Sequence, residues 1–229
     1  MPRRPDLDAL LSPPLRMPAR PAYTPAEWRL IERLRTPRQV QRYLRALPYN
    51  WEHTLRSFRG SVEAGRAHCL EAVLLAAAIL EHHGYPPAVL DIESDDGLDH
   101  VLFLYREDGK WGTVARSRDF GLHGRPPLFR SIPALVSSYM DPYVDGTGRL
   151  NAWGVAHLDR LTTADWRLSG KSVRRVEQAL IEMQHFPLPM GERRFQRALR
   201  RFQAFKASGR AVTRRSQRAL YGEQVDRWW

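Results

Sequence analysis

The only cysteine of this 229-residue chain, Cys69, stands directly before the apolar run 70–80. A thiol in the first turn of a helix lies at the positive end of the helix dipole, beside N–H groups that have no partner within the helix. Both features favour the thiolate, which is the nucleophilic form of cysteine. A lone cysteine is also often a plain buried residue. Its place in the first turn predicts that Cys69 is a nucleophile with a lowered pKa.

A cysteine nucleophile requires a base, and the candidate is His100, at the head of a predicted strand. The Asp-Gly dipeptide at 108–109 predicts a two-residue hairpin turn, and in that register His100 lies opposite Ser117. Asp119 falls on the same face, diagonal to His100 and within reach of its side chain. We therefore expect Asp119, or else Ser117, to hold the imidazole, because Asp99 points to the opposite face.

The elements that position these residues follow from hydrophobic spacing and from turn residues. Thr-Pro openings predict two helices, at 24–35 and 36–47, and the apolar run after Cys69 predicts a buried helix that stops at Gly84. Strands are predicted at 88–94, 99–106, 110–117 and 150–158, with a loop at 118–130 and a short helix near 132–139. Amphipathic helices at 170–183 and 190–208 follow. This order predicts an α+β domain with an antiparallel sheet and helical extensions.

The motifs around the two candidates resemble those of the transglutaminase-like superfamily. A cysteine at a helix start is followed in order by Gly84-Tyr85-Pro86, His100-Val101 and Trp111-x-x-Val114, and the match covers about residues 50–120. The family pattern has an aspartate directly after the last motif. Ala115 stands at that position here, so Asp119 is our own substitute and is not implied by the resemblance.

The resemblance implies a papain-related core and a Cys-His-Asp acyl-transfer site in which Cys69 is the nucleophile and His100 the base. A backbone N–H near the helix start is expected to stabilise the oxyanion, supported by Asn50 or Trp51. We expect neither a metal nor another cofactor, since the histidines show no zinc-ligand spacing with the single cysteine. The expected substrate is a peptide or a protein.

Positive charge is concentrated at the two ends of the chain. The net charge is +11, and residues 171–229 alone hold 14 Lys and Arg against 5 Asp and Glu. We therefore expect three parts: a poorly ordered Pro/Arg-rich arm at 1–22, a transglutaminase-like domain at 23–168 and a basic helical extension at 169–229. Nucleic acid is a conceivable partner, but no base-reading or stacking motif accompanies the charge, so a solvated basic face is favoured.

Other features limit the class of protein. One cysteine excludes an internal disulfide, and the longest apolar run is shorter than the about 20 residues that span a bilayer. Without a secretory signal at its proline-broken N-terminus, the chain is expected to be cytoplasmic, with no membrane span. An acidic group lacks the spacing of a calcium-binding loop and is expected to be solvated; it comprises Asp91, Glu93, Asp95, Asp96 and Asp99.

Three hypotheses follow from these observations. The first is a cysteine hydrolase or acyltransferase that acts on an amide or peptide bond through Cys69 and His100. The second is a catalytically inactive protein of the same fold that serves as a binding or scaffold module, which the missing family aspartate favours. The third is a nucleic-acid-associated protein, and only the net charge favours it.

Overall fold

An antiparallel sheet of six strands forms the centre of the computed structural model, which describes residues 5–144 and 148–228. The strands are β1 Ala88–Ser94, β2 His100–Glu107, β3 Lys110–Val114, β4 Arg125–Phe129, β5 Leu150–His157 and β6 Phe186–Pro187. Their order across the sheet is β4-β3-β2-β1-β5-β6. The α+β class and the antiparallel sheet are thereby confirmed.

Helices precede, interrupt and follow the strands. They are α1 Leu7–Leu10, α2 Pro25–Arg33, α3 Pro37–Ala46, α4 Phe58–Ala64, α5 Cys69–Leu80, α6 Ile132–Ser137, α7 Met140–Tyr143, α8 Leu158–Leu161, α9 Arg174–Glu182, α10 Glu192–Ala207 and α11 Arg214–Tyr221. The two Thr-Pro openings begin α2 and α3 as expected, and each threonine forms a capping box with the residue three positions later. Within the described ranges, no helix has the length and apolar character needed to cross a bilayer.

Helix α5 is the buried centre of the first core. Every residue from Leu70 to Leu80 is buried, because all of these side chains except Glu71 are apolar and leave no polar face for solvent. It packs against β2 in a cluster that contains Val101, Phe103 and Tyr105. A short 3₁₀ turn follows, and Gly84 with φ of 86° ends it. The predicted helix and its stop are confirmed.

The β2–β3 hairpin sets the register of the sheet next to the candidate site. Asp108 and Gly109 have φ angles of 47° and 73°, and Glu107 pairs with Lys110, so the predicted two-residue turn is confirmed. The predicted register holds from there to the pair Phe103–Val114. Strand β3 ends at Val114, so the expected pairing of His100 with Ser117 does not form.

The opposite face of the sheet carries a second core, which packs on α6 and α7. Leu102 and Leu104 of β2 contribute to it. Strand β4 lies within 118–130, where the sequence predicted a loop. Pro126 and Pro127 cannot donate to a ladder, which is tolerated because β4 is at the sheet edge and pairs only with β3. The two prolines are therefore the reason that the sequence predicted a loop in place of this edge strand.

The described part of segment 1–22 packs against the sheet, whereas the sequence predicted a poorly ordered arm. Leu10 of α1 is buried in the second core. The Asp159 carboxylate accepts hydrogen bonds from the backbone N–H groups of Leu15 and Arg16. These long-range contacts, which composition cannot show, hold the proline-rich segment in place.

Segment 169–228 is part of the folded unit. Val176 and Leu180 of α9 lie in the same core as α5, and β6 adds a strand beside β5. Met190 and Ala198 lie in the second core. A boundary at residue 169 therefore does not separate two packing units, because the basic helices bury their apolar stripes on the sheet.

A buried ion network joins the end of α5 to the segment after α8. The Arg167 guanidinium donates to both oxygens of Glu81 at 2.7 and 2.6 Å and to Asp159 at 2.7 and 2.9 Å. All three residues are buried. Arg167 therefore balances the negative charge of two buried carboxylates at once. We expect the stability of the fold to depend on it.

Candidate active site

Cys69 is the first residue of α5, and a buried carboxylate fixes the start of that helix. Glu71 accepts hydrogen bonds from the His68 N–H at 3.1 Å, from Asn50 Nδ2 at 2.9 Å and from Thr54 Oγ1 at 3.0 Å. The second Asn50 N–H bonds Thr54 at 2.7 Å. Both Asn50 donors are thus engaged, so Asn50 positions the helix start and does not face a substrate oxyanion.

The Cys69 thiol is the neutral form at ordinary pH. Burial raises its pKa to about 11, and the nearby carboxylate of Asp91 acts in the same direction. The backbone N–H groups of Leu70 and Val101 act against this shift and are outweighed. The expectation of a lowered pKa took account of the helix start only. The enclosed surroundings of the sulfur reverse it, because a thiolate is poorly solvated there.

His100 is the first residue of β2, as predicted, and only 4% of its surface is exposed. Its Nε2 lies 2.8 Å from the carbonyl oxygen of Leu122. A carbonyl only accepts, so Nε2 carries the hydrogen and Nδ1 is the unprotonated, basic nitrogen. No described residue hydrogen-bonds Nδ1. Burial lowers the pKa of His100, so the imidazole rests in its neutral form.

Cys69 and His100 belong to opposite faces of the sheet. Val101 and Phe103 pack toward α5, so strand alternation assigns His100 to the other face, with Leu102. Among the described residues no hydrogen bond joins the two side chains. His100 is, however, the terminal residue of its strand, and both side chains line one cavity at the end of the sheet.

Two cavities meet at Cys69. The first, which we call the sheet-end cavity, has a volume of about 300 Å³ and is lined by Cys69, His100, Asp119 and residues of α10 and α11. The second, the helix-side cavity, has a volume of about 540 Å³ and is lined by Cys69, Trp51, Asp91 and residues of α9. Both volumes are in the range of sites for small molecules. Cys69 is therefore bordered by a cavity on each of two sides.

The sequence predicted that Asp119 holds the imidazole of His100, and this prediction is wrong. Its carboxylate lies 3.3 Å from Arg118 Nε, and 58% of its side chain is exposed. The Ser117 hydroxyl accepts the backbone N–H of Asp119 at 3.0 Å and does not bond His100. Asp119 acts on His100 only through its charge, which raises the pKa of the imidazole and partly opposes the effect of burial. The imidazole donates its hydrogen bond to the carbonyl oxygen of Leu122 instead of to Asp119.

Trp51 lies at the mouth of the helix-side cavity, with 71% of its surface exposed. It meets Tyr49 edge-on, with 4.9 Å between the ring centroids. Trp51 therefore presents an aromatic surface for a ligand, and its indole was expected to support an oxyanion donor. The structure shows no hydrogen bond that ties it to the helix start.

Asp91 belongs to the site, although the sequence placed it in a solvated acidic group. It is buried in the middle of β1, pairs with Val101 and lines the helix-side cavity with Cys69. His185 Nε2 lies 3.2 Å from its carboxylate, and this contact raises the pKa of His185. In the sequence, strand alternation already placed Asp91 on the same face as Val89. This alternation could have indicated that Asp91 is buried next to the site.

Arg125 organises the loop that carries the Leu122 carbonyl. The guanidinium is buried and donates to the carbonyl oxygens of Gly121 and His123, each at 2.7 Å. It lies between two aromatic rings, 4.1 Å from the Tyr139 centroid and 3.5 Å from that of Trp228. These contacts fix the loop backbone on both sides of the oxygen that sets the His100 tautomer.

The site gives no indication of a metal centre. In the part of the chain that the structure describes, no three His, Cys, Asp or Glu side chains are arranged to hold a metal ion. Comparison with known proteins gives no family model and no curated protein that matches the chain.

Proposed function

We propose that this protein is a transglutaminase-like cysteine hydrolase or acyltransferase that acts on amide or peptide bonds. One observation carries the proposal: a thiol at a helix start and a buried neutral imidazole with an unengaged basic nitrogen line the same cavity. A thiol and a base are the minimum that nucleophilic acyl transfer requires.

In the proposed reaction, the Cys69 sulfur attacks the substrate carbonyl carbon while His100 Nδ1 accepts the thiol proton. The oxyanion that forms is met by backbone N–H groups of the first turn of α5, where those of Cys69 and Leu70 already face the sulfur. The C–N bond then breaks, the leaving amine takes the proton from the imidazolium, and an acyl-thioester remains on Cys69. Water or an amine, deprotonated by His100, attacks the thioester and releases the acyl product and the thiol.

The neutral resting state determines how the site is activated. Since the thiol is protonated and unbonded to His100 before substrate binds, the proton transfer accompanies the attack. Catalytic hydrogen bonds are often long without substrate and tighten in the complex. The carbonyl of Leu122 fixes the tautomer, as the carboxylate does in a triad, but it carries no full charge to stabilise the imidazolium. A modest rate is therefore expected.

The proposal is tested by turnover of amide and ester substrates in the presence of water or hydroxylamine. Cys69→Ser and His100→Gln should each lower kcat/KM by about 10²-fold or more, the size expected for a nucleophile or a general base. His83→Gln is the matched control, because His83 bonds the Ile31 carbonyl away from both cavities. Turnover that survives both site variants would exclude the mechanism.

A catalytically inactive binding module is the second candidate. It is favoured by Ala115 at the position of the family aspartate and by the raised pKa of Cys69, which lacks a hydrogen bond to His100. In that case the two cavities would bind a ligand, and Cys69→Ser would leave its affinity unchanged. The same turnover experiment separates the two candidates, since only the enzyme forms product.

A further inference from the structure

The sheet-end cavity has an apolar wall that the C-terminal helices supply. Phe202 and Phe205 of α10 line it, together with Leu220 and Tyr221 of α11. Val212, in the segment between these helices, also lines it and is largely exposed. On the other side, Pro142 and Tyr143 of α7 complete the wall. These basic helices thus place apolar side chains on the cavity that Cys69 also lines.

The two cavities at Cys69 differ in chemical character. The helix-side cavity is lined by more ionisable side chains, namely Glu52, His53, His68, Asp91, Asp99, Arg118, Arg174 and Glu177. In the sheet-end cavity, the charged residues Asp96, Asp99, Arg118 and Asp119 come from the two loops next to the thiol, and α10 and α11 contribute only apolar and aromatic side chains. An apolar group is therefore favoured against the wall that α10 and α11 form, since that wall places no charged side chain against it.

The position of His100 supports the presence of a ligand in the same cavity. Its imidazole is more than nine-tenths buried, and Nδ1 has no partner among the described residues. The imidazole lines the sheet-end cavity, so Nδ1 is the nitrogen available to a group bound there. A group packed against the apolar wall would lie in the same cavity as this nitrogen and the thiol.

The size of the cavity limits that group. An apolar cavity of about 150 Å³ holds a benzene molecule. The sheet-end cavity is about 300 Å³. It therefore has room for one aromatic ring or a short aliphatic chain with its linking atoms.

We propose that the acyl group transferred through Cys69 is apolar, either aromatic or short and aliphatic, and that α10 and α11 select it. The proposal rests on the acyl-transfer function proposed above and adds its substrate class. It also gives the C-terminal segment a role at the site. The amine or water acceptor then enters from the polar helix-side cavity.

The experiment measures kcat/KM for p-nitrophenyl acetate, butyrate and hexanoate. Each buried methylene contributes about 0.8 kcal/mol, which is about fourfold in kcat/KM, so the hexanoate should exceed the acetate by up to about 200-fold. Phe202→Ala and Phe205→Ala should reduce this ratio by about tenfold. Phe195→Ala is the matched control, because Phe195 lies on the same helix but packs on the second core and on Arg149. It should keep the wild-type ratio.

A flat chain-length series in the wild type, or a ratio that survives in both cavity variants, would overturn the proposal. Labelling of Cys69 by N-methylmaleimide and N-hexylmaleimide gives a second readout that needs no turnover. Faster labelling by the hexyl reagent, lost in Phe205→Ala, is the expected result. If that preference is found in a protein without turnover, the apolar site stands and the acyl-transfer function is wrong. If the preference is absent, the apolar site is wrong.

Discussion

Alkylation of Cys69 should be slow at neutral pH and should accelerate until well above pH 9. Burial and Asp91 raise the pKa of the thiol to about 11. At pH 8 such a thiol is about 0.1% ionised, whereas a thiol with a pKa of about 9 is about 9% ionised. The more basic thiolate is about 6–10 times more reactive, which recovers part of this difference. The net expectation is an alkylation rate about tenfold below that of an exposed thiol.

The assay is reaction with iodoacetamide from pH 7 to pH 11, followed by intact mass. Because Cys69 is the only thiol, one added carboxamidomethyl group reports it directly. The same chain unfolded in urea provides the reference thiol. His100→Ala should leave the apparent pKa almost unchanged, because the imidazole is neutral and not bonded to the sulfur. An apparent pKa below about 8.5 would refute this reasoning and indicate a resting thiolate–imidazolium pair.

Three further predictions concern the surroundings of the site. Arg167→Met leaves Glu81 and Asp159 buried without their cation and should lower the free energy of unfolding by about 3–5 kcal/mol in urea titrations; a loss below 1 kcal/mol would contradict the network. Burial lowers the pKa of His123 to about 3, so its stabilising contribution is complete above about pH 6.5 and is lost as the pH falls toward 3. Between pH 7 and pH 5 the wild type should therefore lose about 2 kcal/mol more than His123→Gln, and equal losses would show that His123 titrates normally. Asp119→Asn should slow acyl transfer by less than about tenfold, far less than the loss of a bonded triad aspartate, and a larger loss would mean that its carboxylate reaches His100 in the substrate complex.

The local elements were predictable because local signals determine them. The Thr-Pro caps, the apolar run after Cys69 and the Asp-Gly turn each indicated an element that the structure contains. Strand β4 was missed because two prolines resemble a loop, and only the sheet shows that they occupy an edge. The packing of the N-terminal segment on Asp159 depends on contacts between residues more than 140 positions apart, which no local pattern encodes.

The sequence pointed to two residues that line one cavity, but their roles stay a prediction and the geometry around them was not predictable. Cys69 and His100 line one cavity, as their positions at element starts indicated. The partner of His100 is a backbone carbonyl, and every residue has one, so no side-chain pattern could point to Leu122. The sign of the Cys69 pKa shift depends on how deeply the sulfur is enclosed, which follows from tertiary packing and not from the helix start alone.

Trapping the acyl-enzyme tests the central claim most directly. The protein is mixed with p-nitrophenyl hexanoate, quenched in acid after short times and analysed by intact mass and by peptide mapping. The account predicts a single hexanoyl group on Cys69, formed at least about 10²-fold more slowly in His100→Gln and at the wild-type rate in His83→Gln. No adduct on Cys69, or an adduct that forms equally fast without His100, would contradict it.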